Sequence, residues 1–159
     1  IYKEDMIHPT SIIETAYENV GQGTNIWANT HICKDAKIGN SCTIGENEYI
    51  GKGVTIGDRC RIQTGALIYE GVTIGNDVFI GPGVITTNDI FPELPVEDWT
   101  HRFKETIIMD KVSIGANSTI ICGVILYNNC MIGAGSVVTK NVQTAEVVCG
   151  NPEKNLRWR

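Results

Sequence analysis

An all-β fold, a parallel solenoid wound in triangular coils, is what this sequence predicts, on three observations. Aliphatic residues recur every sixth position, glycine often follows them, and small or β-branched residues sit two positions before them. Stepping by six from Val20 gives Ile26, Ile32, Ile38, Ile44, Ile50, Ile56, Ile62, Ile68, Ile74, Ile80 and Thr86, and eleven of these twelve are aliphatic. A second run in shifted register gives Ile108, Ile114, Ile120, Leu126, Ile132 and Val138. A period of six suits neither a helix of about 3.6 residues per turn nor a free alternating strand. It marks one short strand and one turn, repeated.

Each segment follows in order. Residues 1–12 read as a lead-in, with "HPTSII" entering the first coil at Ile13. Solenoid is expected over 13–88. Three hexads close one triangular turn, so both runs together make about six coils of about 18 residues, with strands stacked about 4.8 Å apart around an aliphatic axis. Glycine after the aliphatic suits a corner needing positive φ or close backbone approach. The slot two before it holds Thr24, Thr30, Ala36, Val54 and Ala66, and also Cys42, Cys60 and Cys130, which therefore read as small packing residues. The pattern breaks at Thr86-Thr87-Asn88-Asp89. Residues 89–107, "DIFPELPVEDWTHRFKETI", carry two prolines and no hexad and read as one long inserted loop. Loops of that length are uncommon without a function. Solenoid resumes over 108–143, and 144–159 form a short C-terminal tail, giving a single domain over 1–159.

Composition narrows the function. The chain has 159 residues, net charge -5 and a pI near 5.1, which argues against nucleic acid as partner. No apolar run approaches the roughly 18 residues that span a bilayer, and "IYKEDMIHPT" lacks a signal-peptide core. A cytoplasmic protein with no membrane partner is the expectation. The six cysteines include no CxxC, so reduced thiols are expected rather than a bridge or metal site.

Residues 18 apart stack at one corner, which places Lys52, Glu70 and Asn88 in a column where the long loop leaves. A carboxylate beside an amide under an aromatic loop could position an amine; Asn40-Asp58-Asn76 is a similar column without a loop and reads as a solvated ladder. Lys140, Lys154, Arg157 and Arg159 gather cations near the C-terminus, suited to phosphates or to plain solvation. His8 and His31 read as surface residues, and His101 could reach a site from the loop as a base.

The stretches "IYEGVTIGNDVFIGPGVITTND", "ETIIMDKVSIGANSTIICGV", "IGAGSVVTKNV" and "VVCGNP" resemble the hexapeptide-repeat acyltransferases. Within these, the resemblance is to the N-acetyltransferases of nucleotide-linked 3-amino sugars, including the UDP-2-acetamido-3-amino-2,3-dideoxyglucuronate type. It implies a left-handed parallel β-helix, a homotrimer with active sites between subunits, acetyl-CoA as co-substrate, no metal, and a nucleotide-sugar acceptor. Carried onto this chain, it implies Glu70 and Asn88 as catalytic residues on the sugar amine. Asp89, Thr64 and Gln63 would join Asn88 in binding substrate. Backbone groups of Ala116, Ala134 and Gly135 would line the pantetheine, with Lys140, Pro152 and Arg157 towards the CoA nucleotide. Three departures stand out: "IQTG" replaces "IQNN", "GNPEK" replaces "GNPAR", putting Glu153 near the expected CoA phosphates, and "LYNNC" replaces a more typical hexad at Leu126.

The expected chemistry is direct attack of the amine on the thioester in a ternary complex. No Cys-His pair has a nucleophile's spacing, which disfavours an acyl-enzyme. Other readings are an O-acyltransferase using His101, a γ-type carbonic-anhydrase-like metal protein, and a non-enzymatic solenoid. The second needs three converging histidines, and the third a regular threonine face; neither pattern is present.

Overall fold

The computed structural model describes residues 6–92 and 102–158. Each hexad aliphatic ends a short strand, such as Asn25–Ile26, His31–Ile32 and Lys37–Ile38, and consecutive strands pass to three different sheets in rotation. Partners are one coil apart and parallel: Ile26 faces Ile44, Ile32 faces Ile50, and Ile38 faces Ile56. The sheets hold nine, seven and five strands and are called A, B and C in that order. The aliphatics stack inside, with Ile26, Ile32, Ile44, Ile50, Ile62, Ile68, Ile80 and Ile114 all fully buried. A 3-10 turn at Tyr17–Asn19 is the one stretch of helix of three or more residues in a row among the described residues, and no helix is long and apolar enough to cross a membrane.

The solenoid makes about seven turns, not six. Both expected extensions contribute strands. Met6–Ile7, inside the expected lead-in, pairs in parallel with Asn25–Ile26. Glu146–Cys149, inside the expected tail, pairs in parallel with Met131–Ile132. The hexad count hid them because the register slips at both ends. Ile13 to Val20 is seven residues rather than six, the extra one absorbed by the 3-10 turn. Val142 then bridges Leu126 only four residues after Val138. Beyond Cys149 the chain turns back, and Lys154–Trp158 lies antiparallel on Glu146–Cys149, covering the last edge of sheet A.

The glycines after the aliphatics serve close approach, not positive φ. A Cβ on Gly51 would sit 2.6 Å from the Glu70 nitrogen of the next coil. Left-handed φ falls instead two residues later, at Asn29, Asp35, Asn47 and Asp77 among others. Asn and Asp tolerate that region better than most residues.

The inserted loop leaves from the corner between sheets B and C. Asp89 and Phe103 pair antiparallel across its neck, the Lys104 N–H donates to the Asn88 carbonyl at 3.0 Å, and solenoid resumes at Thr106–Ile108. Residues 93–101, His101 included, lie outside the described residues, so the proposed base is not among them.

Candidate functional site

Register builds the site. Ile68 faces Ile50, Leu67 faces Ile85, Thr86 faces Ile120, and Ile120 faces Val138. Two residues past each of these strands stand Lys52, Glu70, Asn88, Cys122 and Lys140, one above another on the B–C corner. Glu70 and Asn88 are thus neighbours on one edge, about 4.8 Å apart along the backbone.

Thr86 replaces an aliphatic at this corner and is fully buried. Its Oγ1 accepts the Tyr69 N–H at 2.9 Å, where other coils use the main-chain carbonyl, as in Gly51 to Ile68 at 2.7 Å. Thr87 Oγ1 accepts the Cys122 N–H at 2.9 Å. Both threonines stitch the peptides that flank Glu70 and Asn88. The break in the hexads is therefore a change of hydrogen bonding where the loop departs.

The acid columns on two edges are used differently. On the C–A edge each side chain receives the N–H one coil below: Asn40 takes Gln22 at 2.9 Å, Asp58 takes Asn40 at 2.7 Å, Asn76 takes Asp58 at 2.8 Å, and Asp110 takes Asn76 at 2.7 Å. Glu70 is exposed and forms no such rung among the described residues. Above Asn88 opens a groove of 610 Å³ whose lining includes Ile90, Lys104, Cys122, Gly123, Thr139 and Lys140. Among the described residues its lining contains two lysines and no acid, a set that favours an anion.

The remaining expected residues separate. Asp89 is largely covered and holds Arg102 at 2.6 Å, and it also accepts the Phe91 N–H at 2.8 Å. It anchors the loop neck. Gln63 and Thr64 lie past a sheet A strand, so they occupy the A–B edge with Trp27 and Glu46 around a hollow of 310 Å³. Ile80 faces Ile62 and Ile114, and Ile114 faces Ile132, which stacks Ala116 and Ala134 on Thr64's column. Gly135 has φ +70 and open space beside it, while its N–H is committed to the Ala116 carbonyl at 2.8 Å. Lys140 is on the other edge, with Glu70. Pro152 is exposed in the turn after the last sheet A parallel strand, and Arg157 is exposed on the antiparallel cover. One chain therefore does not gather the expected residues; it places them on two edges.

Three features escaped the sequence. Glu153 does not face solvent: it is buried, and its Oε2 accepts both the N–H and the hydroxyl of Thr139 at 3.0 Å. Glu48 occupies an interior slot, 2 % exposed, and burial pushes its carboxyl up to about 8. His31 is not a plain surface residue, because Glu14, His31 and Cys33 bring their ligand atoms within 4.8 Å of one another. The registry slip before Val20 concealed the pairing of Glu14 with Cys33.

The family described as bacterial transferase hexapeptide (six repeats) matches residues 105–140, and that described as GMPPB C-terminal domain matches 26–100. The dTDP-3-amino-3,6-dideoxy-alpha-D-galactopyranose 3-N-acetyltransferase of Aneurinibacillus thermoaerophilus is 47% identical over 148 residues, covering 93% of this chain and 75% of that one. The bifunctional protein GlmU of Streptococcus uberis is 32% identical over 82 residues, covering 52% of this chain and 16% of its own. A hexapeptide-repeat acetyltransferase of Vibrio cholerae, solved with acetyl coenzyme A, matches with TM-score 0.56 at 25% identity over 72% of this chain and 69% of that one. The fold is also that of AntD, an N-acyltransferase from Bacillus cereus, at TM-score 0.61 and 21% identity over 94% of this chain and 83% of AntD. With hexads that close into this solenoid and 47% identity along nearly its whole length, the chain belongs to the hexapeptide-repeat acyltransferase family, on the branch of the sugar N-acetyltransferases.

Proposed function

We propose that this chain transfers the acetyl group of acetyl-CoA to the amino group of a nucleotide-linked 3-amino sugar at the Glu70–Asn88 corner. The observation that carries the reading is an exposed carboxylate that takes no backbone N–H among the described residues, in a fold that spends its other acid column on backbone N–H groups. The similarity to an enzyme acting on a dTDP-linked 3-amino sugar supports the acceptor, and the likeness to an acetyl-CoA complex supports the donor.

Glu70 and Asn88 hold the neutral amine by its hydrogens so that its lone pair faces the thioester carbonyl. Orientation of this kind removes much of the entropic barrier. The C–N bond forms, the carbonyl oxygen gains charge, and a backbone N–H from the glycine-rich A–B corner of a second copy stabilises it. The C–S bond then breaks, and the amine's proton ends on the departing CoA thiolate, directly or through Glu70. Lys104 and Lys140 supply the positive charge for phosphates. In a homotrimer, the A–B edge of one copy faces the B–C edge of the next, and Ala116, Ala134 and Gly135 admit the pantetheine there because they are small.

Thiol release from acetyl-CoA, measured with dTDP- and UDP-linked 3-amino sugars, tests this. Turnover is expected with dTDP-3-amino-3,6-dideoxygalactose, and Glu70→Gln should lower it by roughly 100-fold. A Glu70→Gln protein with the wild-type rate removes Glu70 from the scheme, and turnover with none of these sugars overturns the acceptor.

A further inference from the structure

Two coils below Glu70 on the same edge, the register of Ile13 against Ile32 sets Glu14 beside Cys33. His31 Nε2 lies 2.9 Å from Glu14 Oε1 and 3.8 Å from Cys33 Sγ. One ring nitrogen meets both groups. A nucleophilic relay needs the opposite arrangement, with the thiol on one imidazole nitrogen and the acid on the other. The cluster therefore does not revive covalent catalysis. Three different donors converging on one point is instead what a cation requires.

The dimensions suit a small ion. Tetrahedral zinc with nitrogen, oxygen and sulfur ligands separates neighbouring donors by about 3.5 Å. The sulfur–nitrogen distance of 3.8 Å is already close to that, the carboxylate opens from His31 by about half an ångström, and the carboxylate–thiol pair, which lies within 4.8 Å, closes by no more than about 1.3 Å. The surroundings fix the donors. The Lys34 N–H holds Glu14 Oε2 at 3.2 Å, which aims Oε1 at His31. The Tyr49 ring packs edge-on to His31 at 5.7 Å between centroids. Tyr49 also meets the Cys33 thiol. Cys33 is 7% exposed, while His31 and Glu14 remain open enough to admit an ion. Outer partners of this kind tune ligand orientation in metal sites.

We propose that Glu14, His31 and Cys33 form a binding site for a borderline-soft divalent cation of the zinc class, fastening the first coil of the solenoid to the second. A thiolate, an imidazole and a carboxylate select zinc over magnesium or calcium, which prefer oxygen alone. The end coil needs such a fastening. It is joined to its neighbour on sheet B by the two-residue pairing of Ile12–Ile13 with His31–Ile32, and terminal coils lack a neighbour on their outer side. Two rungs at about 4.8 Å each separate the ion from Glu70, so it takes no part in acetyl transfer.

Titration of the metal-free protein with cobalt(II), read as the near-ultraviolet thiolate-to-cobalt band, tests the site independently of any transferase activity. One equivalent per chain is expected, displaced by zinc, with the band abolished in Cys33→Ser and affinity weakened roughly tenfold or more in His31→Gln and Glu14→Gln. At one zinc concentration the rise in melting temperature should be larger for the wild type than for Glu14→Gln, whose exposed side chain leaves the core intact. The proposal is overturned by absence of the band in the wild type, by its persistence in Cys33→Ser, or by unchanged affinity in both other variants.

Discussion

Glu48 sits in the interior slot that Thr30 and Ala66 fill in the coils on either side, and a carboxyl there has little to bind. Its Oε1 accepts the Gly45 N–H at 2.6 Å, and its Oε2 has no partner among the described residues. Burial therefore favours the protonated form and lifts the pKa from 4.5 to about 8. A raised acid pKa means that the folded state binds more protons than the unfolded one between those values. The associated stability is fully present below the unfolded pKa and is lost as pH rises through the folded one. Glu48→Gln should remove this dependence, so the variant gains on the wild type by about 3 to 5 kcal/mol between pH 5 and pH 9. Denaturant melts at both pH values measure the gain, and parallel losses in the two proteins would refute it. The sequence could not flag Glu48, because the slot rule rests on small residues and one exception looks like noise. The same rule did read Cys42, Cys60 and Cys130 correctly as buried packing residues, since the slot sits inside every coil. Thr86 was visible as a break, yet its exchange of a main-chain acceptor for a hydroxyl shows only in coordinates.

The corner is the element on which the proposed site is built. A strand of two residues fixes little by itself, but pairing one coil up and one coil down fixes each corner within the column. Gly51 lets Glu70 approach: a Cβ would lie 2.6 Å from the Glu70 nitrogen and 2.9 Å from the Tyr69 carbonyl carbon. Both neighbours are backbone, so the Glu70 peptide must move. Gly51→Ala should keep the solenoid at a cost of about 1–3 kcal/mol while lowering acetylation by roughly tenfold or more through displaced Glu70. Melting temperature and thiol release together check this, and an unaltered rate would show that Glu70 is not set by this approach. At this scale the sequence was most legible, because any hexad aliphatic fixes the vertical partners of its neighbours by arithmetic. It failed where spacing departed from six, at Ile13 to Val20 and after Val138, and each slip hid a strand.

Within the whole molecule the expected site residues divide between two edges, and the division has a consequence that one chain cannot meet. Glu70, Asn88 and Lys140 follow sheet B strands, whereas Gln63, Thr64, Ala116 and Ala134 follow sheet A strands. The two edges of a prism face apart. An acceptor held on one can meet a donor lying along the other only if a second copy brings its A–B edge against the first copy's B–C edge. Two impaired proteins should then repair each other. In the proposed scheme Glu70→Gln loses the group that holds the acceptor but keeps a normal A–B edge, and Ala134→Trp blocks the proposed pantetheine path but keeps Glu70. Each alone should keep about one per cent of wild-type activity or less. Co-expressed and randomly mixed in a closed ring, about one interface in four joins a good acceptor edge to a good donor edge, so about a quarter of wild-type activity should return. Separately purified variants, mixed without subunit exchange, should stay at that low level. If co-purified mixed oligomers show no recovered activity, both halves of the site belong to the same protomer, and the division between the two edges has no catalytic meaning.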